Sequence, residues 1–173
     1  MAMNYVLCGM PGSGKSALGK RIAALAGMEW VDVDDIITSK YGEIPLLFAE
    51  RGEVYFRSLE TVEIEELCKR DGIVLSTGGG AILRKKNVEL LKENGKILYL
   101  KASVETLTER LFDDVERPIL KGDDPLEEKV ARILHERAPI YEEVADYILE
   151  VDGRSKEENA KLALALFEGK REE

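Results

Sequence analysis

The sequence predicts an α/β protein with a parallel sheet covered by helices on both faces, and two observations carry that expectation. Apolar runs of strand length alternate with amphipathic helical stretches along nearly the whole chain. Between the first run and the first helical stretch lies a glycine-rich loop, GMPGSGKS, from Gly9 to Ser16, where a strand-to-helix turn can cradle phosphate.

Taken in order, the first apolar run, YVLCG at 5–9, leads through the loop into a helix over 15–26. EWVDV at 29–33 is the second strand and ends in acids, with a helix over 34–41 after it. A helix over 53–70 precedes the third strand, GIVLS at 72–76, which runs directly into Thr77 and three glycines. A helix over 87–94, the strand KILYL at 96–100 and a helix over 103–112 continue the alternation. A long helix over 125–145, the strand YILEV at 147–151 and a helix over 156–168 complete it.

Two segments lack that rhythm. DDVERPILKGDDP at 113–125 is rich in charge and turn formers, with no strand or helix period, and reads as a mobile flap. The charged tail EGKREE is expected to fray.

With 173 residues and no dividing linker, the chain is expected to form one domain over 1–173. Its formal net charge of −9 argues against a nucleic-acid partner, because such binding rests on clustered positive charge. The apolar opening YVLCGMP is too short to span a bilayer and lacks a basic flank with a cleavage site, which predicts a cytoplasmic protein without membrane contact. Cys8 and Cys68 read as buried, reduced thiols, and His135 as a surface or packing residue of the long helix.

The loop spacing, Gly9 then four residues then Gly14, Lys15 and Ser16, is that of a P-loop. Backbone N–H groups around Gly12, Ser13 and Gly14 can converge on an anion, and the following helix aims its positive end there. Lys15 adds a charge near the β- and γ-phosphates, and the Ser16 hydroxyl can ligate Mg²⁺. The loop alone does not choose among ATPases, switches and small-molecule kinases, although the guanine-reading NKxD signature is absent.

Candidates for a second-substrate site follow along the chain. Asp32, Asp34 and Asp35 fall at the carboxyl end of the second strand, where ligands of open α/β sheets bind. One carboxylate can orient Mg²⁺ and another accept a proton, while Asp35 reads as a helix cap. Arg57 lies within helical reach of Glu53 and Glu60, and on its own that trio reads as a surface ion-pair cluster. Gly78, Gly79 and Gly80 offer bare backbone at the sheet edge, or a flexible turn. Arg117 in the flap and Arg137 in HERAPIY bring the guanidinium groups to three, a preferred means of holding carboxylate or phosphate.

In that order and spacing, GMPGSGKS, DVD, GEVYFR with Glu60, TGGG, RPIL and ERAPIY resemble the shikimate kinase family over about residues 4–155. The resemblance implies a three-layer P-loop kinase fold: a five-stranded parallel sheet in order 2-3-1-4-5 with helices on both faces, a substrate-binding region about 33–61 and a lid about 112–124. It implies ATP-dependent phosphorylation of the 3-hydroxyl of shikimate, on the way to aromatic amino acids, with Mg²⁺ at Ser16 and Asp32. By the same resemblance Arg57 and Arg137 hold the substrate carboxylate, Asp34 binds ring hydroxyls and acts as base, and Gly79 contributes backbone. Arg117 closes with the lid onto ATP, and Arg110 and Arg154 flank the adenine.

The family's second hydroxyl after Ser16 is here Ala17, whose N–H can still meet the α-phosphate; RPIL stands for the more usual RPLL. A monomer is the expected state. Two other readings stay open from sequence: a kinase for another hydroxy acid such as gluconate, and a nucleotide-binding partner protein that has lost phosphoryl transfer.

Overall fold

A computed structural model describes residues 2–114 and 117–170. The strands are β1 (Asn4–Cys8), β2 (Glu29–Asp32), β3 (Ile73–Ser76), β4 (Gly95–Lys101) and β5 (Tyr147–Glu150). They form one sheet in the order β2-β3-β1-β4-β5, every pair parallel, as the sequence led us to expect. The inner strands are nearly continuous apolar runs because both their faces are covered. Val6, Leu7, Val74, Leu75, Ile97, Leu98 and Leu100 are at most 1% exposed and form the centre of the core.

The helices are α1 (Lys15–Ala26), α2 (Val33–Tyr41), α3 (Ile44–Arg51), α4 (Glu53–Leu67), α5 (Lys85–Glu93), α6 (Val104–Leu111), α7 (Leu126–Val144) and α8 (Lys156–Glu168). Ser103 and Ser155 cap α6 and α8, their hydroxyls accepting from Thr106 N and Glu158 N. Among the described residues no helix is long and apolar enough to cross a membrane.

Several expectations need correction. Sequence periodicity missed α3, an eight-residue helix held between two glycine turns, with Pro45 in its first turn. It also missed the short 3₁₀ turn Pro118–Leu120 inside the presumed flap, where Pro118 fixes the backbone at the turn's start. The second strand stops at Asp32 rather than at 33, because the Asp32 side chain turns to cap α2, accepting from Asp35 N at 3.1 Å. The cap is therefore Asp32, and Asp35 is exposed in the first turn.

Arg137 lies inside α7, which runs on through Pro139. Cys8 is buried, whereas Cys68 is only half-buried at the end of α4. His135 is exposed. The described part of the tail leaves α8 through Gly169, and residues 171–173 lie outside the described residues, as do 115–116 of the flap.

Candidate active site

Parallel pairing brings the carboxyl ends of β1, β2 and β3 side by side, with Leu7 opposite Ser76 and Ser76 opposite Asp32. The loop after β1, the first turn of α2 and the glycines after β3 thus gather at one sheet edge. This edge flanks the central strand β1, where the chain crosses from one side of the sheet to the other.

The glycine-rich loop enters α1 at Gly14, whose φ of 95° is a left-handed conformation that L side chains rarely adopt. Lys15 folds back over the loop and donates to Gly9 O at 2.8 Å and Met10 O at 2.9 Å. Desolvation lowers its pKa to about 8 against the pull of Asp34. Ser16 Oγ donates to Asp32 Oδ2 at 2.6 Å, so the hydroxyl and carboxylate named for the metal are neighbours. Arg110 reaches across to donate to Gly12 O at 3.1 Å and flanks a small hollow lined also by Ser13, Gly14, Ala17 and Asn159. Arg154 does not line that hollow; its guanidinium turns to Glu150 O and to Asn159 Oδ1.

Beside the loop opens a cavity of about 230 Å³. Asp34, Arg57, Gly78, Gly79, Gly80, Arg117 and Arg137 all line it, although they come from α2, α4, α7 and two loops. Ile44, Phe48, Phe56 and Ile119 supply apolar walls.

Side chains of the cavity approach all three glycines closely. A Cβ on Gly78 would sit 3.0 Å from both Asp34 Oδ1 and Glu60 Oε2. On Gly79 it would meet Pro11 Cδ at 2.8 Å and Arg137 Nη1 at 3.2 Å, and on Gly80 the Arg57 Cζ at 2.7 Å. The catalytic candidates are thus packed directly on bare backbone, and the alternative of a merely flexible turn does not describe this segment.

Electrostatics separate the two acids at the cavity. Asp34 Oδ1 has no hydrogen-bond partner among the described residues, and its pKa is raised, first by desolvation and then by Asp32. Lys15, Arg117 and Arg57 oppose that rise. Glu60 is fully buried and ion-paired to Arg57 at 2.9 Å, with Glu53 at 3.6 Å on the outer side. Desolvation raises the Glu60 pKa in spite of the pair. The Arg57 trio is therefore a cavity wall and not a surface cluster. Arg117 pairs with Asp114, while Arg137 is only 9% exposed.

Sequence reasoning left Glu60, Pro11 and the apolar walls out of the site. Glu60 follows Arg57 by three residues, a spacing that reads as a surface ion pair. The walls had no signal, because their part in the site depends on how α3 folds against α4.

A five-stranded parallel sheet in this order, with a P-loop on its central strand and a second cavity beside it, defines the class of P-loop small-molecule kinases. The family model described as shikimate kinase matches residues 11–167. Shikimate kinase of Acinetobacter baumannii (strain AYE) is 41% identical over 165 residues, covering 95% of this chain and 91% of the relative. That of Halorhodospira halophila is 39% identical over 164 residues, covering 94% and 92%. A solved structure of shikimate kinase from Acinetobacter baumannii in complex with shikimate superposes with a TM-score of 0.92 at 39% identity, covering 98% of this chain and 94% of that one. The chain belongs to the shikimate kinase family.

Proposed function

We propose that this protein transfers the γ-phosphoryl group of ATP to the 3-hydroxyl of shikimate, giving shikimate 3-phosphate and ADP in the pathway to chorismate and the aromatic amino acids. One observation supports the reading above others: Arg57 and Arg137 both pack on the glycine triplet within reach of Asp34. A carboxylate held between the two guanidinium groups would leave the rest of its ring facing Asp34 and the P-loop. The apolar walls suit the face of a ring better than a flexible linear polyol such as gluconate.

Asp34 accepts the hydroxyl proton as the oxygen attacks the γ-phosphorus and the bond to the β-phosphate oxygen breaks. Lys15 neutralises charge on the transferring group, and Arg117 covers it from the lid. Gly12, Ser13, Gly14, Ser16 and Ala17 offer backbone N–H groups to the phosphates, Arg110 flanks the adenine, and Gly78, Gly79 and Gly80 form the floor beneath the acid. Arg154, turned toward Glu150 and Asn159, would have to swing to join Arg110 at the base.

The oxygen donors at Ser16 and Asp32 fit a hard divalent cation: they adjoin at 2.6 Å at the foot of the P-loop. Mg²⁺ bound there with the nucleotide would supply charge neutralisation between the β- and γ-phosphates. Among the described residues no cluster of three or more His, Cys, Asp or Glu could hold a metal ion. A site of two protein oxygens completed by phosphates and water is the arrangement Mg²⁺ favours.

We read residues 1–173 as one domain, with about 33–61 forming the acid site and about 112–124 the lid, of which 115–116 lie outside the described residues. We further read the protein as a cytoplasmic monomer with no nucleic-acid partner, in line with its net charge of −9. A coupled assay of ADP release tests the activity. ADP should appear only with shikimate and Mg²⁺ present, and gluconate should neither replace nor compete with shikimate. Folded, ATP-binding protein that forms no shikimate 3-phosphate would overturn the proposal.

A further inference from the structure

Tyr141 lies behind the glycine triplet, fully buried on α7 and not among the residues lining the cavity. Its hydroxyl donates to Gly79 O at 2.5 Å. It stands one helical turn after Arg137, so both side chains approach the triplet from the same face of α7. The Tyr141 ring is fixed by stacking on Tyr99, centroid to centroid 5.0 Å. Burial pushes its pKa up to about 12, so the hydroxyl keeps its proton and remains a donor across the working range.

The Gly79–Gly80 peptide has glycine on both sides, and glycine resists rotation of the neighbouring backbone less than any other residue. Without a tether the peptide could turn either its carbonyl or its N–H to the cavity. The Gly79–Gly80 peptide is trans, so the Gly80 N–H points opposite to the Gly79 carbonyl. Tyr141 draws that carbonyl backward. The N–H is thereby turned to the side away from the Tyr141 hydroxyl. Among the described residues the Gly78, Gly79 and Gly80 amides find no acceptor. A ligand carboxylate would supply one, whereas a flipped carbonyl would repel it.

We propose that Tyr141 is a positioning residue for acid recognition: by holding the Gly79 carbonyl out of the cavity it aims the Gly80 amide at the substrate carboxylate. This rests on the reading of the cavity as the shikimate site. The tether acts on the ground-state anion, which is unchanged during transfer, so its contribution falls on substrate affinity and not on the chemical step.

The test is Tyr141→Phe with Tyr99→Phe as its control, since the Tyr99 hydroxyl is buried in the same stack with no partner. Tyr141→Phe should raise KM for shikimate about tenfold, with kcat and the KM for ATP changed less than about twofold. Its preference for shikimate over shikimate methyl ester should fall by a similar factor, and Tyr99→Phe should leave that preference unchanged. An unaltered KM and acid-to-ester preference in folded Tyr141→Phe protein would overturn the proposal. A second measurement uses the unsubstituted enzyme labelled with ¹⁵N-glycine. Shikimate should move the Gly80 amide proton resonance downfield, the methyl ester much less, and equal shifts would also overturn it. Wild-type protein that fails to phosphorylate shikimate would instead count against the functional reading itself.

Discussion

Asp34 and Glu60 converge on the same α-carbon: Asp34 Oδ1 and Glu60 Oε2 each lie 3.0 Å from where a Cβ on Gly78 would sit, one on α2 and the other on α4. Neither oxygen has a hydrogen-bond partner among the described residues. Gly78 has no positive φ, so its need for glycine comes from space alone. Gly78→Ala should therefore push one or both carboxylates from place, costing about 1–3 kcal/mol of stability as overpacking does. Thermal melts and steady-state kinetics would show a lowered melting temperature and impaired shikimate use, with ATP binding retained.

Asp34 and Lys15 set opposite limbs of a pH profile. The pKa of Asp34 is raised by desolvation and by Asp32, and its ionised form is the one that accepts a proton. Activity should therefore fall on acidification at a pH above the ordinary carboxylate range. Lys15 loses its proton near pH 8 in the free enzyme, so kcat/KM for ATP should fall above that pH. Asp34→Asn should abolish the acid limb and lower kcat by about 10²–10⁴, the usual contribution of a general base, while ATP still binds. A rate profile from pH 5 to 10 on both proteins checks this.

Arg57→Ala should weaken binding of the acid and also destabilise the fold, because it strips the buried Glu60 of its 2.9 Å partner. Removing one member of a buried pair costs about 3–5 kcal/mol. The sign of the pH dependence follows from Glu60, whose folded-state pKa is already raised and should rise further without Arg57. A carboxyl with a raised folded pKa binds its proton more tightly when folded, so stability falls as pH rises from the unfolded value through the folded one. The loss caused by Arg57→Ala should accordingly be larger at pH 8 than at pH 5, as paired thermal melts would reveal.

The sheet was legible because its inner strands are buried on both faces, and burial writes itself into sequence as unbroken apolar runs such as KILYL. The P-loop was legible because its chemistry is local, confined to eight consecutive residues. Arg57 and Arg137 each read alone as ordinary charges, and only the order of the motifs joined them to Asp34. Glu60 was hidden by its charge: a Glu three residues after an Arg on a helix reads as exposed, and nothing local says that it is buried beside the glycine triplet. Tyr141 was harder still, since its partner is a carbonyl 62 positions away. The helix α3 failed as a prediction because eight residues between glycines offer too few turns for a helical period to emerge.

Asp32 holds two tasks on one side chain, and two substitutions can separate them. Its Oδ1 accepts from Asp35 N to cap α2, and its Oδ2 accepts from Ser16 Oγ at the proposed metal position. Asparagine caps a helix about as well as aspartate but brings no negative charge to a cation. Asp32→Asn should keep the melting temperature close to that of the wild type and raise the Mg²⁺ concentration needed for half-maximal activity. Asp32→Ala should show the same metal defect and lose about 1 kcal/mol of stability with the cap. Because α2 begins at the capped turn and carries Asp34 two residues later, Asp32→Ala should also raise KM for shikimate more than Asp32→Asn does. Magnesium titrations and melts of the two variants check both halves. Equal melting temperatures would remove the cap from the account, and unchanged metal dependence in both would remove Asp32 from the metal site.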